Sequence, residues 1–170
     1  MAELTPMERL QPALLDRLTD NAPDEKRVEA REARVMNRQR LREAVLRDLA
    51  WLLNAACPSA AEVDWTGCPD AKRSVLNYGL PPLSGELAST LNILDLEQAI
   101  RQSIIDFEPR IDAASVSVSA MVNQLSLDHH NQIEVRIRGT LWAQPVPIEL
   151  LLRTDVDLET GQVNVRELTG

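Results

Sequence analysis

The chain has 170 residues, 44% hydrophobic and 26% charged, the composition of a folded chain that hides about 70% of its unfolded surface, not of a disordered one. Eighteen basic against 26 acidic residues give a formal charge of −8, a sign that opposes non-specific phosphate binding and argues against nucleic acid as a partner. No apolar run approaches the roughly 20 residues that cross a bilayer, and residues 1–10 lack the basic start and apolar stretch of a signal peptide, so a cytoplasmic protein without membrane insertion is expected.

In chain order, Thr5-Pro6-Met7-Glu8 reads as a helix start, with Thr5 as cap, Pro6 at the first helical position and Glu8 completing a capping box. Pro12 lacks an amide donor and conflicts with one continuous helix. A second helix therefore starts at Pro12, carries Leu14, Leu15 and Leu18, and ends at Asn21, Pro23 and Asp24. Between residues 24 and 47 the charge changes sign: eight basic against five acidic residues give +3, leaving −11 on the rest of the chain. Residues 25–34 have few apolar side chains and read as a solvated helix or a mobile linker. Beyond them Leu41, Val45, Leu49, Leu52 and Leu53 fall on one helical face. The charges beside that stripe read as a solvated face or, at Arg38 and Arg42, as a docking surface for an acidic partner.

Residues 57–85 hold Pro58, Gly67, Pro69, Gly79, Pro81, Pro82 and Gly85, which forbid one long helix or strand. Val75, Leu76, Tyr78, Leu80 and Leu83 make the stretch too apolar for a free linker, and an ordered, irregular connection packed on the core is predicted. A helical segment around residues 87–91 follows. Asp95 then reads as an N-cap, with Gln98 three residues later, opening a helix through Leu96, Ile100, Ile104 and Phe107. Pro109 stops it, since the residue before proline is pushed out of the helical region.

After Pro109 the pattern alternates. Val116, Val118, Ala120 and Val122 share one face and Ser115, Ser117 and Ser119 the other. Ile133, Val135, Ile137, Gly139, Leu141 and Ala143 repeat it, opposed by Glu134, Arg136, Arg138 and Thr140. Val146, Ile148, Leu150, Leu152 and Val156 do so again, with Leu151 as an exception. Period-two alternation marks antiparallel strands with one buried face. Residues 128–131 and Thr160-Gly161 supply turns, and Val163 and Val165 begin a last short strand. The fold class is thus α+β, N-terminal helices followed by a three- or four-stranded antiparallel meander. A single domain over 1–170 is expected, with 1–36 a helical or mobile segment, 37–108 helices and an irregular loop, and 113–168 the sheet.

Candidate chemistry is sparse. Trp51, Trp65, Tyr78, Phe107 and Trp142 are the whole aromatic supply, few for platforms that bind sugars or bases. Sixteen of the 18 basic residues are Arg, which suits forked hydrogen bonds at interfaces and equally fits a GC-rich genome. Cys57 and Cys68 are too few for a four-ligand zinc site; a disulfide between them stays open but is disfavoured in the cytoplasm. His129 and His130 read as a surface turn. Glu108 and Asp112 are a nominal carboxylate pair without the aromatic subsites of a glycosidase. No Gly-x-Ser-x-Gly elbow, phosphate loop or dinucleotide fingerprint occurs. No enzyme, cofactor or metal is expected. In Phe107-Glu108-Pro109-Arg110-Ile111 a helix ends beside an acid and a base. The two either face water or form ion pairs, with each other or across an interface.

Three runs carry a resemblance: Leu14-Leu15-Asp16-Arg17-Leu18, Ser74-Val75-Leu76-Asn77-Tyr78-Gly79-Leu80-Pro81, and Glu108-Pro109-Arg110-Ile111. In this order, and around an Arg-rich helix ending at residues 49–54, they resemble the TssE family. These are type VI secretion baseplate subunits, related to the wedge protein of contractile phage tails once labelled lysozyme-like. Pro82 and Ser84 depart from the family's acidic and small residues, and Cys68-Pro69 replaces an aromatic–Pro pair. The resemblance implies a structural subunit that joins TssF and TssG in the baseplate wedge at the cytoplasmic face of the inner membrane. It further implies templating of the first sheath ring of TssB and TssC, and contact through the baseplate with TssK. It places the wedge contact at Glu108, Pro109 and Arg110. Alternatives are the equivalent subunit of a phage or phage-derived particle and, from another class, a muramidase-like hydrolase. A meander has two edges open to strand addition, and residues 133–143 and 146–158 are expected to present such an edge or to support it. Charge reversal at Arg110 is expected to abolish wedge assembly and leave the fold intact.

Overall fold

Helical spacing and strand alternation sort the chain into two layers. A computed structural model of the protein describes residues 13–19, 36–58, 63–83, 85, 91–122, 131–143 and 146–168. Its elements are α1 (Leu14–Leu18), α2 (Arg38–Asn54), α3 (Pro69–Lys72), a 3-10 turn (Val75–Asn77) and α4 (Ile93–Phe107), then β1 (Ser117–Val122), β2 (Gln132–Leu141), β3 (Ile148–Asp157) and β4 (Val163–Glu167). The expected α+β class is therefore the observed one, with four strands. The readings made for residues 5–12, 21–34, 84, 87–90 and 128–130 lie outside the described residues.

Asn37 starts α2 by accepting the Arg40 N–H at 2.7 Å, which satisfies one of the free donors of the first turn. The predicted stripe Leu41, Val45, Leu49, Leu52 and Leu53 is its buried face. For α4 the cap is Asn92, not Asp95: its side chain accepts the Leu94 N–H at 3.1 Å. Asp95 instead sits in the first turn, where a carboxylate complements the helix dipole. Leu96, Ile100 and Ile104 are buried as expected, and Phe107 packs half-buried against the core. Helix α1 runs only from Leu14 to Leu18, with Ala13 in the cap position, and it buries no residue. Among the described residues no helix is long and apolar enough to cross a membrane.

The strands form one antiparallel sheet in the order β1-β2-β3-β4. Register places Ile137 between Val118 and Leu152, and Val135 between Ala120 and Thr154, so the alternating apolar set lies on one face. A slip of one residue would turn that set to water. The buried face packs on α2 and α4, α4 lying against β1 and α2 against β4. Val146 precedes β3 and is exposed, while Thr154 takes the buried place between Leu152 and Val156. Strands β2 and β3 are central, so residues 133–143 and 146–158 support the sheet; its edges are β1 and β4.

Both edges are covered from the helix layer. Glu97 on α4 accepts the Ala120 N–H at 2.7 Å, and Arg101 donates to the Val116 carbonyl at 3.1 Å. On the other side the Asn54 amide accepts from the Val163 N–H at 2.9 Å and donates to the Val163 carbonyl at 2.8 Å. That single side chain stands in for a neighbouring strand.

The irregular connection is ordered by its own backbone. Gly79 has φ +120°, and a Cβ there would lie 2.2 Å from the Ala55 carbonyl oxygen, so only glycine fits. Leu80 is buried and forms a parallel bridge with Ala56. Tyr78 and Leu83 pack against the core. Val75 and Leu76, expected to be packed, are instead 81% and 68% exposed, because the 3-10 turn rolls them outward. Cys57 and Cys68 are unpaired.

Thr154 is wholly buried, and its hydroxyl has no hydrogen-bond partner among the described residues. Valine keeps the shape and removes the stranded polar group. Thr154→Val is expected to raise the unfolding free energy by about 1 kcal/mol in urea titration.

Candidate functional site

The helix-ending corner builds a charge cluster from adjacent residues. Glu108 caps α4, its N–H bonding to the Ile104 carbonyl at 2.9 Å. Its side chain is only 4% exposed. A buried carboxylate needs donors, and Arg110 supplies them. Arg110 gives its backbone N–H at 3.1 Å and its Nε at 2.7 Å to Glu108 Oε1, while Nη2 bonds Oε2. This is the forked, side-on pairing that guanidinium favours. Pro109, between them, is exposed. The water-facing alternative for Glu108 and Arg110 is thereby excluded; they pair with each other.

The cluster continues across three elements. Arg110 Nη2 also reaches Asp48 Oδ2 on α2 at 2.6 Å. Arg47 Nε bonds Asp48 Oδ1 at 2.8 Å, and Arg47 Nη1 meets Asp16 Oδ1 on α1 at 2.8 Å. The Arg47 guanidinium carbon lies 5.3 Å from the centroid of the Trp51 ring, within cation–π range. The five charges alternate in sign from Glu108 to Asp16. Burial works to lower the Arg110 pKa, but its hydrogen bonds and attraction to Glu108 and Asp48 prevail and hold it above the ordinary range. Arg47 is raised chiefly by its hydrogen bond to Asp48.

Beside the cluster lies an open groove of about 450 Å3 lined by Ala13, Leu52, Tyr78, Phe107, Pro109 and Arg110. Tyr78 and Phe107 meet edge to face, centroids 5.2 Å apart. Burial, with the charges of Asp48 and Glu108, pushes the Tyr78 hydroxyl above its usual pKa. Behind Tyr78, the buried Ser103 hydroxyl on α4 donates to the Gly79 carbonyl at 3.0 Å, which ties the Asn-Tyr-Gly-Leu-Pro run to the helix that ends in Glu108. The other side of the corner is sewn to the sheet. Trp142 donates its N–H to the Arg110 carbonyl at 2.8 Å, and Ile111 bridges Leu141. Gly139 lets Ile111 close in, since a Cβ there would lie 2.8 Å from Ile111 Cγ2.

All three sequence runs singled out above thus converge on one place. Asp112 is not brought into it; it is exposed and accepts the Ala114 N–H in the next turn. Arg42, the other docking candidate, spends its guanidinium on the Glu149 carbonyl at 2.8 Å and Glu167 at 3.3 Å, so Arg38 and Arg42 are not a matched free pair. Asp48, Arg47 and Trp51 are the participants missed in the sequence. Their one signal is an acid and a base inside the apolar stripe, between Val45 and Leu49.

The family model of the baseplate wedge protein gp25 matches residues 39–146. The chain belongs to the gp25 baseplate wedge family. The matched span covers more than half of the chain and includes α2, the Tyr78 loop, α4 and the corner; α1 lies outside it. No curated protein and no solved structure matches the chain significantly. A gp25 family member is a structural part of a baseplate, which fits a site whose charges meet one another in a chain of ion pairs. With both Glu108 oxygens engaged by Arg110, the course of the chain around Pro109 is fixed.

The pairing makes Arg110 a fold residue as well as a surface one. Arg110→Glu would set a third carboxylate beside Glu108 and Asp48, so charge reversal is expected to cost stability where the sequence alone predicts an intact fold. Arg110→Ala strands a buried carboxylate and is expected to cost about 3 kcal/mol in chemical denaturation, with Glu108→Leu/Arg110→Met recovering most of it. Among the described residues Asp16–Arg47 is the ion pair that holds α1 to the body. Arg47→Ala should therefore speed hydrogen exchange at residues 14–18 while leaving the global unfolding midpoint nearly unchanged.

Proposed function

We propose that this protein is the TssE-type subunit of a type VI secretion baseplate, a non-catalytic wedge component that docks with TssF and TssG through the Glu108-Pro109-Arg110 corner. The observation that carries the reading is the convergence of the three TssE-like runs on one corner, the first through the Asp16–Arg47 pair and the other two at the groove. The internal pairing of Glu108 with Arg110 fixes the path of the chain, so Pro109 and the rims of Tyr78 and Phe107 form a preset surface. Preset surfaces lose less entropy on binding. In this reading the contact is one of shape and apolar fit at Pro109, with Arg110 as its internal brace.

The same subunit would help to start the contractile sheath of TssB and TssC, meeting TssK through the assembled baseplate, at the cytoplasmic face of the inner membrane. Strand addition is the natural sheath contact, at β1 or β4. An incoming strand at β4 replaces the Asn54 amide with a peptide group of the same bonding pattern.

Co-expression with TssF and TssG followed by affinity capture at moderate salt tests the proposal. Wild type should co-purify both, and Pro109→Asp, which leaves the Arg110–Glu108 pair in place, should reduce recovery by about tenfold, as for an anchor at the centre of an interface. Circular dichroism of the variant should match wild type. Failure of folded wild type to bind TssF and TssG would favour a wedge subunit of a phage-derived particle. Full recovery with Pro109→Asp would keep the function and remove the corner from it.

A further inference from the structure

The outer face of the sheet, turned away from both long helices, holds a row of like charges. Register sets Arg136 on β2 directly opposite Arg153 on β3, and Arg153 directly opposite Arg166 on β4. Arg138 lies two residues along from Arg136 and opposite Leu151. All four arginines are exposed, the side chains of Arg136 and Arg153 by 49% and 44%. Like charges directly across a sheet oppose folding, and here three stand in one rung of a chain whose total charge is −8.

Local acids answer only part of the row. Glu134 pairs with Arg136 at 3.0 Å and with Arg153 at 3.1 Å, and Asp155 with Arg153 at 3.3 Å. Both carboxylates sit in the next rung, where Glu134 opposes Asp155. Arg138 and Arg166 have no ion pair or hydrogen bond from their side chains among the described residues. In the adjoining rung Leu151 is half-buried and Leu168 exposed, joined by the Leu168 N–H to the Leu151 carbonyl at 2.9 Å. An apolar centre rimmed by arginine is the composition of interface anchors.

We propose that this face is a second docking surface, and that its partner is an acidic stripe along a helix of another protein. The spacing selects the partner. Strands in a sheet lie about 4.8 Å apart, and carboxylates at i, i+4 and i+7 of a helix lie about 5–6 Å apart on one face. Such a stripe laid across the strands meets Arg136, Arg153 and Arg166 in turn and leaves Arg138 to a flanking acid, while an apolar residue beside the stripe reaches Leu151 and Leu168. Nucleic acid fits less well: Glu134 and Asp155 interrupt the basic surface, and the exposed aromatic near it, Trp142, follows the end of β2, four residues beyond Arg138 and off the row. The inference concerns a surface apart from the corner and does not depend on the type VI reading.

The test uses the full chain and a labelled helical peptide with Glu at i, i+4 and i+7, against a peptide of the same composition with its Glu residues spread around the helix. Binding to the striped peptide should weaken about tenfold in Arg138→Gln/Arg166→Gln, the scale of two exposed ion pairs, and should also weaken with added salt. The spread peptide should bind the wild type more weakly than the striped one. Both substitutions remove repulsion and no partner, so the melting temperature should stay level or rise. If the double variant fails to fold, Arg166→Gln alone should weaken binding about threefold. Pro109→Asp should leave peptide binding unchanged, which separates this surface from the corner. Equal binding by wild type and either folded variant overturns the proposal. So does equal binding of the two peptides, or tighter binding of a short DNA or RNA duplex than of the striped peptide.

Discussion

The carboxylate of Glu108 is a charge placed inside the protein, and the geometry of the corner follows from the need to answer it. A buried carboxylate without donors costs several kcal/mol, so the chain that leaves α4 must bring a cation back within two residues. Pro109 sets the bend and Arg110 closes the fork. The guanidinium has donors to spare once Glu108 is satisfied, and one of its nitrogens also reaches Asp48 on α2. Through Arg47 the same chain of charges extends to Asp16 on α1. An apolar replacement of a buried pair is often at least as stable, so stability alone does not call for this cluster. What the charges add is direction: each fork admits one arrangement of the next element.

The sheet answers a different constraint, the two unpaired edges of a four-stranded meander. Edge strands invite uncontrolled pairing, and here the helix layer supplies side chains that take their place. Asn54 is the clearest case because an amide side chain has the donor and acceptor of a peptide group, and both are spent on Val163. Glu97 does the same on β1, and Arg101 holds the carbonyl of Val116 just before it. The covers are single side chains, reversible by a strand that brings backbone groups of equal number. An edge guarded in this way is closed to casual contacts and still open to a partner that gains more elsewhere.

Much of this was legible in the sequence because it rests on periodicity. Leu41 to Leu53 and Leu96 to Ile104 repeat at helical spacing, and the alternation from Val116 to Val156 fixes strand faces without knowledge of neighbours. What escaped was decided by partners distant in the chain or by local competition. The cap of α4 fell to Asn92 because its amide reaches the Leu94 N–H three residues before the position Asp95 would have capped. Hydrophobicity alone predicts Val75 and Leu76 to be packed, while the turn that exposes them is held by Ser74, which accepts the Leu76 N–H, and by the Asn77 amide on the Lys72 carbonyl. Asp48 looked like one more charge on an Arg-rich helix; its role depends on Arg110, 62 residues away. The Glu-Pro-Arg triplet was visible as a helix stop. Its burial was not, since nothing in a triplet tells which side faces the core.

The charge pattern on the sheet gives the two layers different characters. On the helix side, each of the five charges in the corner cluster has a countercharge in contact, so the proposed contact there would gain chiefly from fit. On the open side, the row Arg136, Arg153 and Arg166 is set by strand register, and each member repels the next. Glu134 and Asp155 relieve part of that repulsion at Arg136 and Arg153, whereas Arg166, at the end of the row, has no internal acid in contact among the described residues. A part that must be held between two neighbours benefits from this asymmetry. Contacts governed by shape tolerate salt and set orientation, whereas contacts governed by charge act at longer range and speed encounter. In the proposed reading the two layers would thus serve different partners, one by fit and the other by charge.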